Sequence, residues 1–298
     1  MNPIGYLLTM KIRSDPTIQL NHWMIDARNR IQEKRSEPTS TLWALLSFFT
    51  NKPQSWLVAH PEFHISYSIA RMLNCAIDKL VEGYPLAYII HRQAFYGLEF
   101  FINPSVLIPR PETELMVETA IAWLRANPNR RVAAEIGIGS GCVSISLAHH
   151  INDLSIIASD ISWSALQVAK KNIANYDLCN QIHLIQCDFL SGVFDKFDLI
   201  CANLPYISSK ELQHMEVSRF EPKIALDGGV DGLRVISNFL VNSPRWLKTD
   251  GILLLEIESH QEKSLLSQAN SAFAQKSIRV LRDLAKFPRL VVVENLPL

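Results

Sequence analysis

The sequence lacks an excess of charge of either sign, because 29 lysine and arginine residues balance 29 aspartate and glutamate residues. A protein that holds bare nucleic acid through its phosphates is expected to carry a basic excess. The balance argues against that class and leaves only local basic patches open. Charged residues make up 19% of the 298 residues and apolar residues 48%, which excludes a disordered chain.

Long apolar runs are also missing. None reaches the roughly 18–20 residues that a membrane helix needs, so we expect no membrane anchor. The N-terminus has a short apolar piece but no basic segment before it and no small-residue cleavage site. This pattern favours neither a signal peptide nor an anchor.

Paired cysteines are absent as well. The five cysteines are scattered and odd in number, with no CxxC pair and no cysteine–histidine spacing that suits zinc: Cys75, Cys142, Cys179, Cys187 and Cys201. We expect reduced, mostly buried thiols, no metal site and a cytoplasmic location.

The chain changes character along its length. Apolar residues at helical spacing predict a small helical domain over residues 20–84, preceded by an extension over residues 1–19. Within it, Pro61 is expected to begin a helix that includes Ile65. The clearest helical set is Trp23, Ala27 and Ile31.

Residues 85–108 are rich in aromatic and β-branched side chains. Two such runs flank Tyr96 and Gly97, which predicts a β-hairpin linker between two domains. Pro111 is expected to start a helix just inside a second domain, residues 109–298.

Strands and helices alternate from residue 131 onward, which predicts an α/β domain with a mostly parallel sheet covered on both faces. Six strands are predicted, at 131–136, 154–159, 182–186, 198–202, 251–257 and 289–294. Helices are predicted at about 141–150, 163–175, 232–247 and 260–274.

A glycine-rich loop follows the first of these strands, with Gly137, Gly139 and Gly141 in G-x-G-x-G spacing. A dinucleotide fold needs a third glycine where Cys142 stands. Asp160 ends the next strand, where a carboxylate can accept hydrogen bonds from the two hydroxyls of a ribose. The pattern predicts a nucleoside site, and the alternative is a strand–helix turn with no ligand.

Asp188 and Phe189 follow the strand at 182–186. An acid there can accept a hydrogen bond from an adenine amino group, and the phenyl ring can pack on the base. The alternative is a helix cap or an exposed turn.

The segment Asn203-Leu204-Pro205-Tyr206 ends a buried strand. The Asn203 side-chain oxygen and the Leu204 carbonyl can each accept one N–H of an NH2 group, which directs its lone pair. Pro205 stiffens the turn and Tyr206 can pack on a flat target group. The alternative is an ordinary Asn-Pro turn at a strand end.

The glycine loop is similar to the first motif of S-adenosylmethionine (SAM)-dependent methyltransferases, and residues 203–206 resemble motif IV of those that modify adenine, cytosine or glutamine nitrogens. Ile108-Pro-Arg-Pro-Glu-Thr-Glu114 resembles a segment of the release factor glutamine methyltransferases, the PrmC/HemK family. Phe220-Glu-Pro222 and Ala225-Leu-Asp-Gly-Gly-Val-Asp-Gly-Leu233 are similar to a further signature of that family. The resemblance runs from about residue 20 to the end.

The resemblance implies a Rossmann-like, seven-stranded SAM-dependent methyltransferase sheet with an N-terminal helical domain. It implies methylation of N5 of the glutamine in the GGQ motif of peptide chain release factors, which the helical domain would hold, with no nucleic acid as partner. Cofactor contacts are expected at Gly137, Ile138, Gly139, Ser140, Gly141, Asp160, Phe189 and Asn203. The glutamine is expected at Asn203, Leu204, Pro205 and Tyr206, with Asn203, Pro205 and Tyr206 catalytic.

Four positions depart from the family pattern. Leu204 replaces a proline, Glu135 an aspartate, Ile138 a threonine and Lys286 a glycine. Two alternatives therefore stay open. One is a nucleic-acid adenine or cytosine methyltransferase that uses residues 203–206, and the other is a SAM-binding relative with impaired catalysis.

Overall fold

The computed structural model describes residues 17–32 and 39–295. The chain divides into two compact units, residues 1–90 and 91–298, and each is described by itself. Most of the expected extension, residues 1–16, lies outside the described residues. The domain boundaries given above stay predictions.

The first unit is mainly helical and packs around Trp23, Leu45, Leu73 and Ile77, which are buried. A short antiparallel pair joins its β1 and β2, with Ile18 opposite Ile65. The elements are β1 (Thr17–Gln19), α1 (Leu20–Gln32), α2 (Thr39–Thr50), α3 (Gln54–Ala59), β2 (His64–Ser66), α4 (Tyr67–Val81) and α5 (Leu86–Ile89).

The predicted start of a helix at Pro61 is wrong. Ile65 lies in β2, because the segment His64–Ser66 pairs with β1 instead of coiling. Helix α4 begins only at Tyr67, where the Ser66 side chain accepts a hydrogen bond from the Ile69 amide and caps the helix.

The predicted hairpin is confirmed and belongs to the second unit. Strands β3 (Arg92–Phe95) and β4 (Leu98–Phe101) pair antiparallel around Tyr96 and Gly97. Both turn residues have positive φ, 47° and 74°, as a two-residue hairpin turn requires.

A seven-stranded sheet forms the centre of the second unit, in the order β10-β11-β9-β8-β5-β6-β7. Five strands, β9-β8-β5-β6-β7, run parallel, and β11 is antiparallel to both of its neighbours. The strands are β5 (Val132–Ile136), β6 (Ser155–Asp160), β7 (Ile182–Gln186), β8 (Phe197–Ala202), β9 (Leu247–Glu256), β10 (Ser277–Arg282) and β11 (Pro288–Glu294).

The seven-stranded sheet is as expected, but β10 was not among the six strands predicted one by one. It is an edge strand with no fully buried side chain and only a short apolar alternation at Ile278 and Val280, which is a weak strand signal. The other six strands lie where they were predicted, within a few residues.

Helices cover the sheet, namely α6 (Glu114–Ala126), α7 (Cys142–His150), α8 (Trp163–Asn175), α9 (Ser209–Leu212), α10 (Arg234–Asn242) and α11 (Glu262–Ala272). Pro111 begins a 3-10 turn that leads into α6. Helix α10 is shorter than predicted, because Pro244 lacks the N–H to continue it and a 3-10 turn follows. No helix in the described ranges is long and apolar enough to span a bilayer.

Candidate active site

A cavity of about 590 Å³ opens where β5, β6 and β8 end. This size suits a small-molecule ligand, and the carboxyl ends of parallel strands are where such folds bind one. Most predicted site residues line it: Gly137, Ile138, Gly139, Ser140, Asp160, Asp188, Phe189, Asn203, Leu204 and Pro205.

Two predicted residues do not line the cavity. Gly141 closes the loop as the N-cap residue of α7, with φ of 85°. The Tyr206 side chain packs against the core of the sheet instead, and burial raises the pKa of its hydroxyl. The expected contact of its ring with the glutamine stays a prediction.

The glycine loop is shaped by left-handed backbone angles, with φ of 72° at Gly137 and 55° at Gly139. Residues with a side chain rarely adopt such backbone angles, which explains why glycine stands at both positions. The amides of Gly137 and Ile138 both donate to the Ser159 carbonyl, at 2.9 Å each. The loop is thereby attached to the end of β6.

Asp160, at the end of β6, supports the same loop. One carboxylate oxygen accepts a hydrogen bond from the Gly139 amide at 3.0 Å, and the other accepts one from the Ser162 amide at 2.8 Å. Burial raises the pKa of this carboxyl group. Each oxygen has a further lone pair for a ligand hydroxyl in the cavity.

Glu135 lies beneath the loop as a buried carboxyl group. It accepts hydrogen bonds from the Ser144 amide, at 2.9 Å, and from the Ser144 hydroxyl. Burial is the main reason why its pKa rises to about 8. The longer side chain, compared with the usual aspartate, therefore joins the end of β5 to the first turn of α7.

Asp188 and Phe189 form one wall of the cavity. Asp188 is exposed at the rim, where a ligand could reach it. Phe189 has φ of 50°, and its ring centroid lies 5.6 Å from that of Phe239, which holds the phenyl group in place.

The side-chain amide of Asn203 has a defined orientation. Its Nδ2 donates to the Thr113 hydroxyl at 3.1 Å, and that hydroxyl donates to a carboxylate oxygen of Glu256 at 2.7 Å. Among the described residues, none donates a hydrogen bond to Asn203 Oδ1. The oxygen is left to accept a hydrogen bond from a molecule in the cavity.

The two segments on which the family resemblance depends meet in the structure. Arg110 forms an ion pair with Glu221 at 2.5 Å, and the Ile108 amide donates to the same carboxylate at 3.1 Å. One signature therefore anchors the other beside the cavity.

The glycine-rich part of the second signature packs against the chain that follows Tyr206. The Gly228 amide donates to the Ile207 carbonyl, and the Ser209 amide donates to the Gly229 carbonyl, both at 2.8 Å. Gln261 adds a hydrogen bond to the Tyr206 carbonyl at 2.9 Å. These contacts hold the chain that directly follows residues 203–206.

Comparison with known proteins agrees with this geometry. The model of the PrmC N-terminal domain matches residues 22–90, and that of the methyltransferase small domain matches residues 113–223. A release factor glutamine methyltransferase of Moorella thermoacetica is 36% identical over 243 residues, or 81% of this chain and 86% of the relative. The chain belongs to the release factor glutamine methyltransferase family.

A second relative, from Nitratidesulfovibrio vulgaris, carries the same name and is 37% identical over 72% of this chain and 74% of its own. Among solved structures, the hMettl16 catalytic domain in complex with MAT2A 3'UTR hairpin 6 superposes with a TM-score of 0.52. It is 13% identical and covers 79% of this chain and 86% of that one, which shows a shared fold alone.

Three residues of this family member were not assigned a role from sequence. Thr113 is hydrogen-bonded to both Asn203 and Glu256, and Gln261 donates to the Tyr206 carbonyl. Thr113 stands inside the segment Ile108–Glu114, which was the available signal. Glu256 ends β9 and Gln261 follows it, with no local motif to mark either residue.

Predictions from the sequence also covered the cysteines and the possible metal ligands. All five cysteines lie in the described ranges and are free thiols. The expectation of mostly buried thiols is wrong, because only Cys142 and Cys201 are buried. Within those ranges, no group of three or more histidine, cysteine, aspartate or glutamate residues is placed to hold a metal ion.

Proposed function

We propose that this protein transfers the methyl group of SAM to the side-chain amide nitrogen of the glutamine in the GGQ motif of peptide chain release factors. Family membership supports the substrate class. The observation that carries the proposal is the orientation of Asn203, whose Nδ2 is held by Thr113 while Oδ1 is left for a ligand.

The residues around the cavity fit the cofactor. Gly137 and Gly139 let the backbone approach it closely, and Asp160 accepts from the ribose hydroxyls. Asp188 accepts from the adenine amino group, and Phe189 packs on the base. When bound there, SAM would supply a methyl group on a positively charged sulfur.

The glutamine amide is positioned by two acceptors in the second half of the cavity. Asn203 Oδ1 takes one of its N–H groups and the Leu204 carbonyl takes the other, so that the nitrogen lone pair is directed at the methyl carbon. Orientation of this kind supplies on the order of 7 kcal/mol at best. Pro205 keeps the turn rigid.

No strong base is required from the protein. As the nitrogen gains the methyl group it takes over the positive charge, and it then loses one proton to water. The two acceptors that oriented the N–H groups also stabilise that charge, because each faces a hydrogen whose acidity increases.

The helical unit completes the proposal as the part that holds the release factor, since one glutamine is too small to select a protein. A cytoplasmic location belongs to the same proposal and is supported by the free thiols.

The test is incubation of the protein with methyl-labelled SAM and a release factor that carries either Gln or Ala in its GGQ loop. Parallel reactions contain RNA or DNA. We expect label in the Gln protein alone. Equal label in both proteins, or label only in nucleic acid, would contradict the proposal. SAM binding by calorimetry without transfer to any release factor would indicate the impaired relative.

A further inference from the structure

The Thr113 hydroxyl lies between two polar side chains at the rear of the candidate active site. It is 3.1 Å from Asn203 Nδ2 and 2.7 Å from Glu256 Oε2. Thr113 is 3% exposed and Glu256 4%, so water does not compete for these hydrogen bonds. We call the set Asn203, Thr113 and Glu256 the relay.

The direction of the relay follows from the number of protons. A hydroxyl has one proton, and an ionised carboxylate can only accept. The Thr113 hydroxyl therefore donates its one hydrogen bond to Glu256, and its oxygen must accept a hydrogen bond from Asn203. Asn203 can donate only through its NH2 group, so the NH2 group turns to Thr113 and Oδ1 turns to the cavity.

We propose that Thr113 and Glu256 are positioning residues for methyl transfer, which set the orientation of the Asn203 amide so that its oxygen faces the glutamine nitrogen. This inference rests on the proposed function. If the relay ran in reverse, Thr113 would donate to Asn203 Oδ1 and the Asn203 NH2 group would face the NH2 group of the substrate. Two donors then oppose each other and the glutamine is not held.

The direction of the hydrogen bonds in the relay depends on whether Glu256 is protonated. Burial raises the pKa of its carboxyl group to about 7. The hydrogen bond from Thr113 lowers this pKa, the charge of Glu112 raises it, and Arg289 and a hydrogen bond from Asn203 lower it. Burial is the main reason why the pKa values of Tyr206 and Cys142 are raised, and the charge of Glu256 raises both further. A protonated Glu256 can donate to Thr113 and allow the reverse relay.

The first test compares Thr113→Val, which removes the hydroxyl at nearly constant volume, with Thr113→Ser, which keeps it. We expect kcat to fall about 10- to 100-fold in Thr113→Val, from the loss of one or two hydrogen bonds. We expect Thr113→Ser to recover most of that loss. The dissociation constant for SAM should change less than about threefold in both.

The second test uses Glu256→Gln, whose amide can donate to Thr113 at every pH. We expect wild-type kcat to rise with pH through about 7, the pKa of Glu256. The variant should lack that rise, because a glutamine amide does not titrate. Equal kcat for Thr113→Val and Thr113→Ser, or an unchanged pH profile in Glu256→Gln, would overturn the inference.

A measurement without turnover separates this inference from the proposed function. In protein with 15N-labelled asparagine, the Asn203 NH2 protons should exchange slowly in wild type and in Thr113→Ser but fast in Thr113→Val. That result supports the relay even if no release factor is methylated. Equally fast exchange in all three would overturn the relay even if methylation occurs.

Discussion

The guanidinium of Arg110 lies 2.5 Å from a carboxylate oxygen of Glu221, although 111 positions separate the two residues. The Glu221 side chain is 1% exposed and that of Arg110 32%, so the pair is closed to water on one side only. The segment before α6 is thereby attached to the loop that supports residues 203–206.

Replacement of Glu221 by Gln should therefore destabilise the protein. The loss of one member of a buried pair costs up to about 5 kcal/mol, but partial hydration of Arg110 reduces this, and we expect about 1–2 kcal/mol. Denaturant unfolding measures it. The control is Asp153→Asn, which breaks the Arg131 pair at a carboxylate that is 67% exposed. The control should cost less than about 0.5 kcal/mol, and equal costs would contradict the difference in burial.

Leu204→Pro tests whether the carbonyl at this position is what matters. The substitution keeps that carbonyl and stiffens the turn, so we expect kcat to be retained or raised. The buried Leu204 side chain is lost, which should lower the free energy of unfolding by about 1–2 kcal/mol. Leu204→Ala is the control that loses packing without stiffening. Complete inactivation of Leu204→Pro alone would refute the role of the carbonyl.

Glu135→Gln tests the buried carboxyl group below the glycine loop. Its pKa rises from 4.5 to about 8 on folding, so its contribution to stability is complete below pH 4.5 and is lost as the pH rises through 8. The Gln variant has no such proton, and its stability should decline less between pH 5 and pH 9. Urea unfolding across this pH range measures the decline in the free energy of unfolding.

The control for this pH dependence is Glu118→Gln, at an exposed position of α6. Its pH profile of stability should match that of the wild type. A Glu135→Gln profile equal to that of the wild type would show that Glu135 stays ionised when buried.

Lys286→Gly tests a departure from the family pattern. Lys286 has φ of 66° in the turn between β10 and β11, an angle that glycine adopts without strain. The substitution should stabilise the protein by about 1 kcal/mol in thermal or denaturant unfolding. Ala285 is next to Lys286 and has no positive φ. The control Ala285→Gly should therefore destabilise the protein. The opposite order of stabilities would contradict the assignment of strain to Lys286.

Local patterns in the sequence were sufficient for much of the fold. Signals from neighbouring residues predicted six strands and the hairpin at Tyr96 and Gly97. They also predicted the glycine-rich loop. The edge strand β10 was missed because none of its side chains is fully buried. The helix start at Tyr67 was missed because it depends on the pairing of β2 with β1, which lies far away in the chain.

The same reason applies to the candidate site. The residues that line the cavity at the glycine loop and at Asn203 stand in recognisable motifs. Glu256 acts across 143 positions through Thr113, and no local spacing reveals such a contact. The sequence of the turn also does not show that the partly buried Tyr206 ring packs against the core of the sheet.

The most direct test of the central claim, that Asn203 orients the glutamine amide, is the kinetics of Asn203→Ala with a release factor and SAM. Loss of the side-chain acceptor should lower kcat by about 100-fold or more, while the dissociation constant for SAM stays within a few-fold of the wild-type value. A parallel loss of turnover and SAM affinity, or a variant as fast as the wild type, would contradict the claim.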